Sequence, residues 1–135
     1  MMLKRLEQIH EYNYVHRDVK PGNTMIDRSA NGDLNYLYLI DFSLAKKWTP
    51  GYNATELRKW RISQNLSEEA PPGESVVGTV IYAPIQAHLP GFYYDKRDDL
   101  EGLCYVIKHM RTNDLPWKNL NTTTDDGLRE ILKLK

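Results

Sequence analysis

The chain has 135 residues, of which 41% are hydrophobic and 27% are charged. These values are typical of one folded globular domain and exclude extensive disorder or a fibrous repeat. Eighteen basic residues balance eighteen acidic ones, so no net positive field favours nucleic acid or an anionic membrane. No stretch approaches the roughly 20 apolar residues that span a bilayer, and the N-terminus lacks the apolar core of a signal peptide. We therefore expect an intracellular protein of the cytoplasm or nucleus that binds neither membrane nor nucleic acid.

The N-terminal segment, residues 2–12, has the pattern of a short amphipathic helix. Four apolar residues recur three positions apart among charged ones: Leu3, Leu6, Ile9 and Tyr12. This spacing predicts one apolar stripe on a helix. No Ser, Thr, Asp or Asn precedes the stripe to cap the helix, which suggests that earlier turns are missing.

A polar loop and a predicted β-hairpin follow this helix. The loop, H-R-D-V-K-P-G-N, occupies residues 16–23, and two apolar runs come after it. Between these runs, Asn31 and Gly32 favour the positive φ angles of a hairpin turn. Gly32 lies midway between Asn23 and Asp41, so a hairpin turning there would bring those two polar residues side by side.

Residues 45–78 form a polar, irregular stretch rich in Pro, Gly and hydroxyl residues. A short helix is predicted within it at T-E-L-R-K-W, residues 55–60. The remainder is expected to be one long loop. Loops of this length inside compact domains are usually functional or mobile.

Two more amphipathic helices are predicted towards the C-terminus. The first begins with Asp98 or Asp99 as its cap, and its apolar residues recur at helical spacing: Leu100, Leu103, Cys104, Ile107 and Met110. The second begins at a Thr or Asp and has Leu128, Ile131 and Leu132 on one face. Together the elements predict an α+β fold that is mainly helical.

The loop at residues 16–23, followed by a hairpin and then by I-D-F-S, resembles the catalytic loop and metal-binding motif of eukaryotic protein kinases. The pattern fixes an Asp, a Lys two residues later, an Asn five residues later, and a second Asp beyond the hairpin. Each residue alone would more often serve in a turn, so the conjunction carries the signal. The resemblance implies that residues 1–135 are a partial kinase domain, a C-terminal-lobe fragment with a small catalytic-loop β-hairpin.

The resemblance gives a role to each residue of this pattern. Asp18 would be the carboxylate within hydrogen-bond reach of the attacking hydroxyl group. Lys20 would present an ammonium group to the transferring phosphoryl of ATP. Asn23 and Asp41 would supply hard oxygen ligands for Mg²⁺ and so help to hold the ATP. A Lys two residues after the catalytic Asp is also typical of kinases that act on Ser and Thr of a protein substrate.

Further segments, V-G-T-V-I-Y-A-P-I, R-D-D-L-E-G-L-C-Y-V-I-K and N-D-L-P-W, look like the casein kinase 1 and vaccinia-related kinase branch. The similarity runs from Met2 to about Leu120. In that branch Thr79 would bridge the catalytic Asp18 and Lys20. Asp99 would brace the backbone of the catalytic loop from the helix that carries it.

Two neighbours of the catalytic Asp have other expected roles. The resemblance gives His16 a structural role within the loop. Arg17 is open to two interpretations, because it could pair with a phosphate group on residues 45–78 or with Glu68 or Glu69.

The sequence also departs from the family pattern. Ser43 occupies the third position of the metal-binding motif, where the family has Gly, and Gly is used where backbone freedom is needed. Ile81 replaces the arginine that binds pre-phosphorylated substrates, and Asp125 and Asp126 lie where basic partners would be expected. Recognition of such substrates is therefore not expected. The glycine-rich loop, the strand lysine and its partner glutamate do not precede the catalytic loop, so we expect the chain alone, without an N-terminal lobe, to be inactive.

Three classes of function follow from this sequence. The first is a serine/threonine kinase of casein kinase 1 type that transfers the γ-phosphoryl group of ATP. The second is a pseudokinase or scaffold that binds partners, including one that covers apolar helix faces left without a neighbour. A nucleic-acid-binding module is the third, which the balanced charge disfavours. Glycine-rich and lysine-bearing strands upstream in a full-length transcript would favour the enzyme.

Overall fold

The computed structural model describes residues 1–28, 34–48, 76–88 and 93–135. Within these ranges it contains three α-helices and two antiparallel two-stranded sheets, an α+β arrangement of the predicted class. No helix of the described part is long and apolar enough to cross a membrane. The elements are α1 (Met2–Glu11), β1 (Tyr14–Val15), β2 (Thr24–Arg28), β3 (Leu34–Leu39), β4 (Lys46–Lys47), α2 (Lys96–Thr112) and α3 (Asp125–Leu134).

Short 3₁₀ turns connect the larger elements at Pro21–Asn23, Val80–Tyr82 and Ile85–His88. The helix predicted at residues 55–60, most of the predicted loop, and the partners suggested for Arg17 there lie outside the described residues. So does the predicted turn at Asn31 and Gly32.

Strands β2 and β3 pair antiparallel, as predicted, with Thr24 opposite Leu39. This register places Ile40 opposite Asn23, and the Ile40 N–H donates to the Asn23 carbonyl oxygen at 2.9 Å. The predicted side-by-side pairing of Asn23 with Asp41 is therefore one residue out.

The described pairs are equally spaced about a sequence position before 32, which accounts for the offset, and the pairing also shifts by one residue between Asp27 and Arg28. Counting outward from Gly32 assumes a hairpin that is symmetric about that residue. A β-bulge also removes symmetry, because it adds a residue to only one strand.

Two hydrophobic clusters form the core, and α2 contributes to both. Residues of α1, the loop at residues 16–23, β3 and α2 form the first, which comprises Leu6, Val19, Leu39 and Leu103. The second joins α2 to α3 and the 3₁₀ turn at residues 80–82, and comprises Tyr82, Val106, Leu115, Trp117 and Ile131. Helix α2 therefore connects the loop at residues 16–23 with the C-terminal helix.

The face predicted to be the core of α2 is wrong for most of its residues. Leu103 is buried, but Ile107 and Met110 are 49% and 73% exposed. The buried residues of this helix are instead Asp98, Asp99, Gly102, Leu103 and Val106. Because the buried face carries two acids and a glycine, apolar spacing does not reveal it. The contacts of these three residues account for their burial.

The start of α2 also differs from the prediction. Asp95 is the N-cap, and its side chain accepts a hydrogen bond from the Lys96 N–H, with Asp98 as the reciprocal partner of a capping box. The helix thus begins a turn earlier than predicted, and Asp99 faces inward with no capping role. Gly102 allows close packing, since a Cβ there would lie 3.1 Å from the Tyr82 carbonyl oxygen.

The two terminal helices follow their predictions more closely. Helix α1 has no side-chain cap, and Leu6 in the middle of its stripe is fully buried, whereas Leu3 and Tyr12 at the ends are exposed. Thr124 caps α3 by accepting a hydrogen bond from Gly127 N–H. Ile131 on the predicted face of α3 is fully buried.

Candidate active site

Asp99 of α2 fixes the backbone of the polar loop at residues 16–23. The Asp99 carboxylate is 2% exposed and accepts hydrogen bonds from the N–H groups of His16 and Arg17, each at 2.8 Å. Its Oδ2 also lies 2.8 Å from Nε2 of His10 on α1. Arg17 has a φ of 68°, a left-handed conformation that costs an L-residue roughly 1–2 kcal/mol. The charge-assisted bonds to Asp99 offset this cost and hold the loop in one shape.

His16 ties the same loop to the end of β3. The side chain is fully buried, and its Nδ1 accepts a hydrogen bond from the Asp18 N–H at 3.3 Å. Its Nε2 lies 3.1 Å from the Ile40 carbonyl oxygen, which can only accept, so Nε2 carries the proton and the ring is neutral. The imidazole also packs edge-on against Phe42, with ring centroids 5.0 Å apart. These contacts give His16 the structural role expected of it.

Asp18 lies at the centre of a cluster of four side chains. The carboxylate is 7% exposed; its Oδ1 accepts from both the N–H and the hydroxyl of Thr79, at 2.8 and 2.7 Å. Its Oδ2 lies 2.7 Å from the Lys20 ammonium and accepts from the Asn23 amide nitrogen at 3.0 Å. Lys20 in turn donates to the Thr79 hydroxyl at 3.0 Å. The structure therefore brings Asp18, Lys20, Asn23 and Thr79 together.

The protonation state of Asp18 follows from these contacts. Burial alone would raise the pKa of this carboxyl group, but the hydrogen bonds from Lys20 and Thr79 outweigh burial and lower the pKa below its ordinary value. Asp18 is thus ionised at neutral pH. An ionised carboxylate can orient a hydroxyl group and accept its proton.

Gly78 makes the approach of Thr79 to Asp18 feasible. Its φ is 86°, and a Cβ at this position would lie 2.3 Å from the Arg17 carbonyl oxygen. Any other residue would push the segment away from the loop at residues 16–23. Gly78 was not among the residues predicted from the sequence, and its place before Thr79 was the available signal.

Asp41 stands apart from this cluster. It is exposed, has a φ of 62°, and its Oδ1 accepts from the hydroxyl and N–H of Ser43, at 2.7 and 3.3 Å. These two bonds lower the pKa of the Asp41 carboxyl group. The charges of Asp18 and Lys20 affect this pKa less than the Ser43 bonds do, and no described hydrogen bond joins Asp41 to the cluster.

Asn23 and Asp41 have the chemistry of magnesium ligands. Both hydrogen bonds that the Asn23 side chain makes within the described ranges use its amide nitrogen, so the amide oxygen is the end with ligand character. The Asp41 carboxylate is ionised and open to solvent. Mg²⁺ prefers such hard oxygen donors and usually keeps water and phosphate as its other ligands. In the described ranges, no group of three or more His, Cys, Asp or Glu is placed to hold a metal, so phosphate and water would have to supply most of the coordination.

A comparison with known protein families agrees with this geometry. The sequence pattern of the protein kinase domain matches residues 1–134, which include each side chain described above. Kinases of this family generally use ATP and Mg²⁺ and act as transferases on protein substrates. The chain therefore belongs to the protein kinase domain family.

Proposed function

We propose that this chain is the C-terminal-lobe part of a serine/threonine protein kinase of casein kinase 1 type, which transfers the γ-phosphoryl group of ATP to Ser or Thr of a protein. The observation that supports this most is the cluster in which Thr79 and Lys20 contact the same carboxylate, Asp18. In that arrangement the ionised Asp18 carboxylate, which can act as a base, lies beside the Lys20 ammonium group at the end of a hairpin.

Each side chain of the cluster then has a chemical task. Asp18 orients the substrate hydroxyl group and accepts its proton. Lys20 stabilises the charge that develops on the transferring phosphoryl group. Thr79 holds the two in register. Asn23 and Asp41 would hold the Mg²⁺ that, when bound with ATP, neutralises the phosphate charge.

Two features support the narrower class of substrate. Lys20 stands two residues after Asp18, as in kinases that act on Ser and Thr. The apolar side chain of Ile81 can neither donate a hydrogen bond to a phosphate group nor pair with its charge, unlike the arginine that the family resemblance places there. We therefore propose a protein substrate that needs no previous phosphorylation.

The test is a fusion of a casein kinase 1 N-terminal lobe upstream of Met2, assayed with peptides that differ only in carrying Ser, Thr or Tyr. Transfer to the Ser and Thr peptides but not to the Tyr peptide is expected. Transfer to Tyr alone would refute the substrate class. No transfer to any peptide by a folded fusion would favour the pseudokinase.

The contact between Ser43 and Asp41 favours the pseudokinase as a second candidate. A hydroxyl group that donates to Asp41 competes with a cation for the same oxygen, and a side chain at this position removes the freedom of glycine. Ser43→Gly in the fusion is therefore expected to raise the rate of phosphotransfer several-fold.

Ser43→Ala separates the two causes of this effect. An equal rise with alanine would identify the hydroxyl group as the cause, whereas a rise with glycine alone would identify the backbone. A lower rate in both variants would contradict the prediction and show that Ser43 assists the reaction.

A polypeptide of these 135 residues is expected to bind magnesium-ATP weakly. The sequence ahead of Asp18 holds neither a glycine-rich loop to cover the phosphates nor a strand lysine to pair with them, and catalysis in kinases depends on such positioning. A ligand at about 100 times its dissociation constant stabilises a protein by roughly 2.7 kcal/mol. That stabilisation would raise the melting midpoint by about 5–10 °C.

Differential scanning fluorimetry with millimolar magnesium-ATP is the measurement, and a shift near zero is expected. A rise of about 5–10 °C that Asp41→Asn abolishes would contradict the prediction. It would show that the described half-site binds nucleotide by itself.

A further inference from the structure

The ammonium group of Lys135, the residue that follows α3, is partly buried. It donates hydrogen bonds to the carbonyl oxygen of Val80 at 2.9 Å and to that of Ala83. It also lies 3.2 Å from Nε2 of His88. A lysine that gives up water for backbone carbonyl groups has lost the hydration that usually keeps it on the surface, so these contacts must replace that hydration.

Aromatic rings complete the environment of this ammonium group. The ring centroids of Tyr105 and Trp117 lie 5.1 and 5.6 Å from Lys135 Nζ, close enough for cation–π attraction. Trp117 also donates its indole N–H to the Ile81 carbonyl oxygen. Lys135 and Trp117 together therefore hold three carbonyl groups of residues 80–83.

The turn that they hold leads directly to Thr79. The N–H groups of Tyr82 and Ala83 donate back to the Thr79 carbonyl oxygen at 2.9 and 3.0 Å. On its other side, Thr79 donates its N–H and hydroxyl groups to Asp18. An unbroken series of hydrogen bonds thus runs from α3 through the 80–83 turn to the catalytic loop.

We propose that Lys135 is a positioning residue whose ammonium group fixes the turn at residues 80–83 and thereby holds Thr79 against Asp18 and Lys20. The importance of Thr79 rests on the proposed kinase function. The coupling from Lys135 to Thr79 rests on the contacts alone, and it is tested without ATP or phosphotransfer.

Burial makes this anchor sensitive to pH. It lowers the pKa of Lys135 to about 8, against an opposing effect of Glu101. The ammonium is therefore present below pH 8 and is lost as the pH rises through that value. The other groups that face it are His88, Glu101 and Tyr105, and His109 contacts the turn through the Tyr82 hydroxyl group.

Two of these neighbours stay uncharged across the relevant range. Burial lowers the pKa of His88 to about 4, so it is neutral above pH 6. Burial raises the pKa of Tyr105, so its hydroxyl group keeps its proton near pH 8.

The experiment follows the ¹³C-labelled methyl signals of Thr79, Val80 and Leu6 in the 135-residue chain from pH 6.5 to 9.5. In the unmodified chain the Thr79 and Val80 signals should move together with a midpoint near 8, while Leu6, in the other core cluster, should stay in place. In Lys135→Arg this step should disappear, because a guanidinium group remains charged throughout the range.

Two further variants complete the design. Lys135→Met removes the ammonium but keeps much of the apolar stem, so its Thr79 signal at pH 6.5 should already match the high-pH position of the unmodified chain. The exposed neighbour Lys133 supplies the matched control, and Lys133→Met should titrate like the unmodified chain.

Three outcomes would overturn the proposal. A Val80 signal that titrates while the Thr79 signal stays in place would show that Lys135 fixes the turn but does not position Thr79. An unchanged step in Lys135→Arg would assign the titration to another group. Movement of Leu6 with the same midpoint would indicate a general stabilising role. These outcomes are read from the unmodified chain and the arginine variant even if Lys135→Met does not fold.

Discussion

Replacing Asp99 with asparagine is expected to lower the free energy of unfolding by about 3 kcal/mol. The carboxylate accepts from two backbone N–H groups, those of His16 and Arg17, and contacts the His10 ring, all in a buried site. Asparagine offers only one oxygen in the same shape. Its NH₂ group would face a backbone donor, leave that donor unsatisfied, and remove the negative charge from the remaining bonds.

Chemical denaturation followed by circular dichroism measures this loss, and thermal unfolding should show a midpoint lower by roughly 10 °C. Asp114→Asn is the matched control, because Asp114 is exposed and contacts only Lys118 at 3.2 Å among the described ion pairs. Such surface pairs contribute little. A loss below about 1 kcal/mol for Asp99→Asn would show that Asp99 does not hold the catalytic loop.

Local spacing explains how much of the candidate site could be predicted. Asp18 contacts Lys20 and Asn23, which lie two and five residues away. One short loop with few accessible conformations therefore brings the three residues together. Thr79 is 61 residues from Asp18. Nothing in its local sequence identifies it, and only the resemblance to a kinase branch singled it out.

The face of α2 could not be predicted from apolar spacing, for a physical reason. Asp99 is buried because it satisfies backbone donors of a distant loop, and Gly102 is buried because it gives room to the Tyr82 carbonyl group. Both reasons depend on partners far away in the sequence. By apolar periodicity alone, an acid and a glycine are assigned to the solvent-exposed face of a helix.

Lys135 was missed for a similar reason. It follows Ile131 by four positions and so shares its helix face, yet a lysine side chain is normally solvated. Its burial arises from the carbonyl groups of Val80 and Ala83, which converge at that point only in the folded chain.

Asp18→Asn should reduce phosphotransfer by about 10²–10⁴-fold in the fusion with a casein kinase 1 N-terminal lobe. Asparagine keeps the shape of the side chain but cannot accept a proton from the substrate hydroxyl group. It also loses the attraction to Lys20, which lies 2.7 Å from the carboxylate. Asp27→Asn, an exposed carboxylate on β2, should leave the rate unchanged.

The initial rate of γ-phosphoryl transfer from ATP to a serine peptide decides whether Asp18 acts as the base of a kinase. The rate is measured for the fusion and its two asparagine variants, at a temperature where circular dichroism shows all three to be folded. Our interpretation predicts transfer by the fusion and by Asp27→Asn, and a loss of at least about 100-fold in Asp18→Asn. An Asp18→Asn variant that keeps a rate within a few-fold of the unmodified fusion would contradict it.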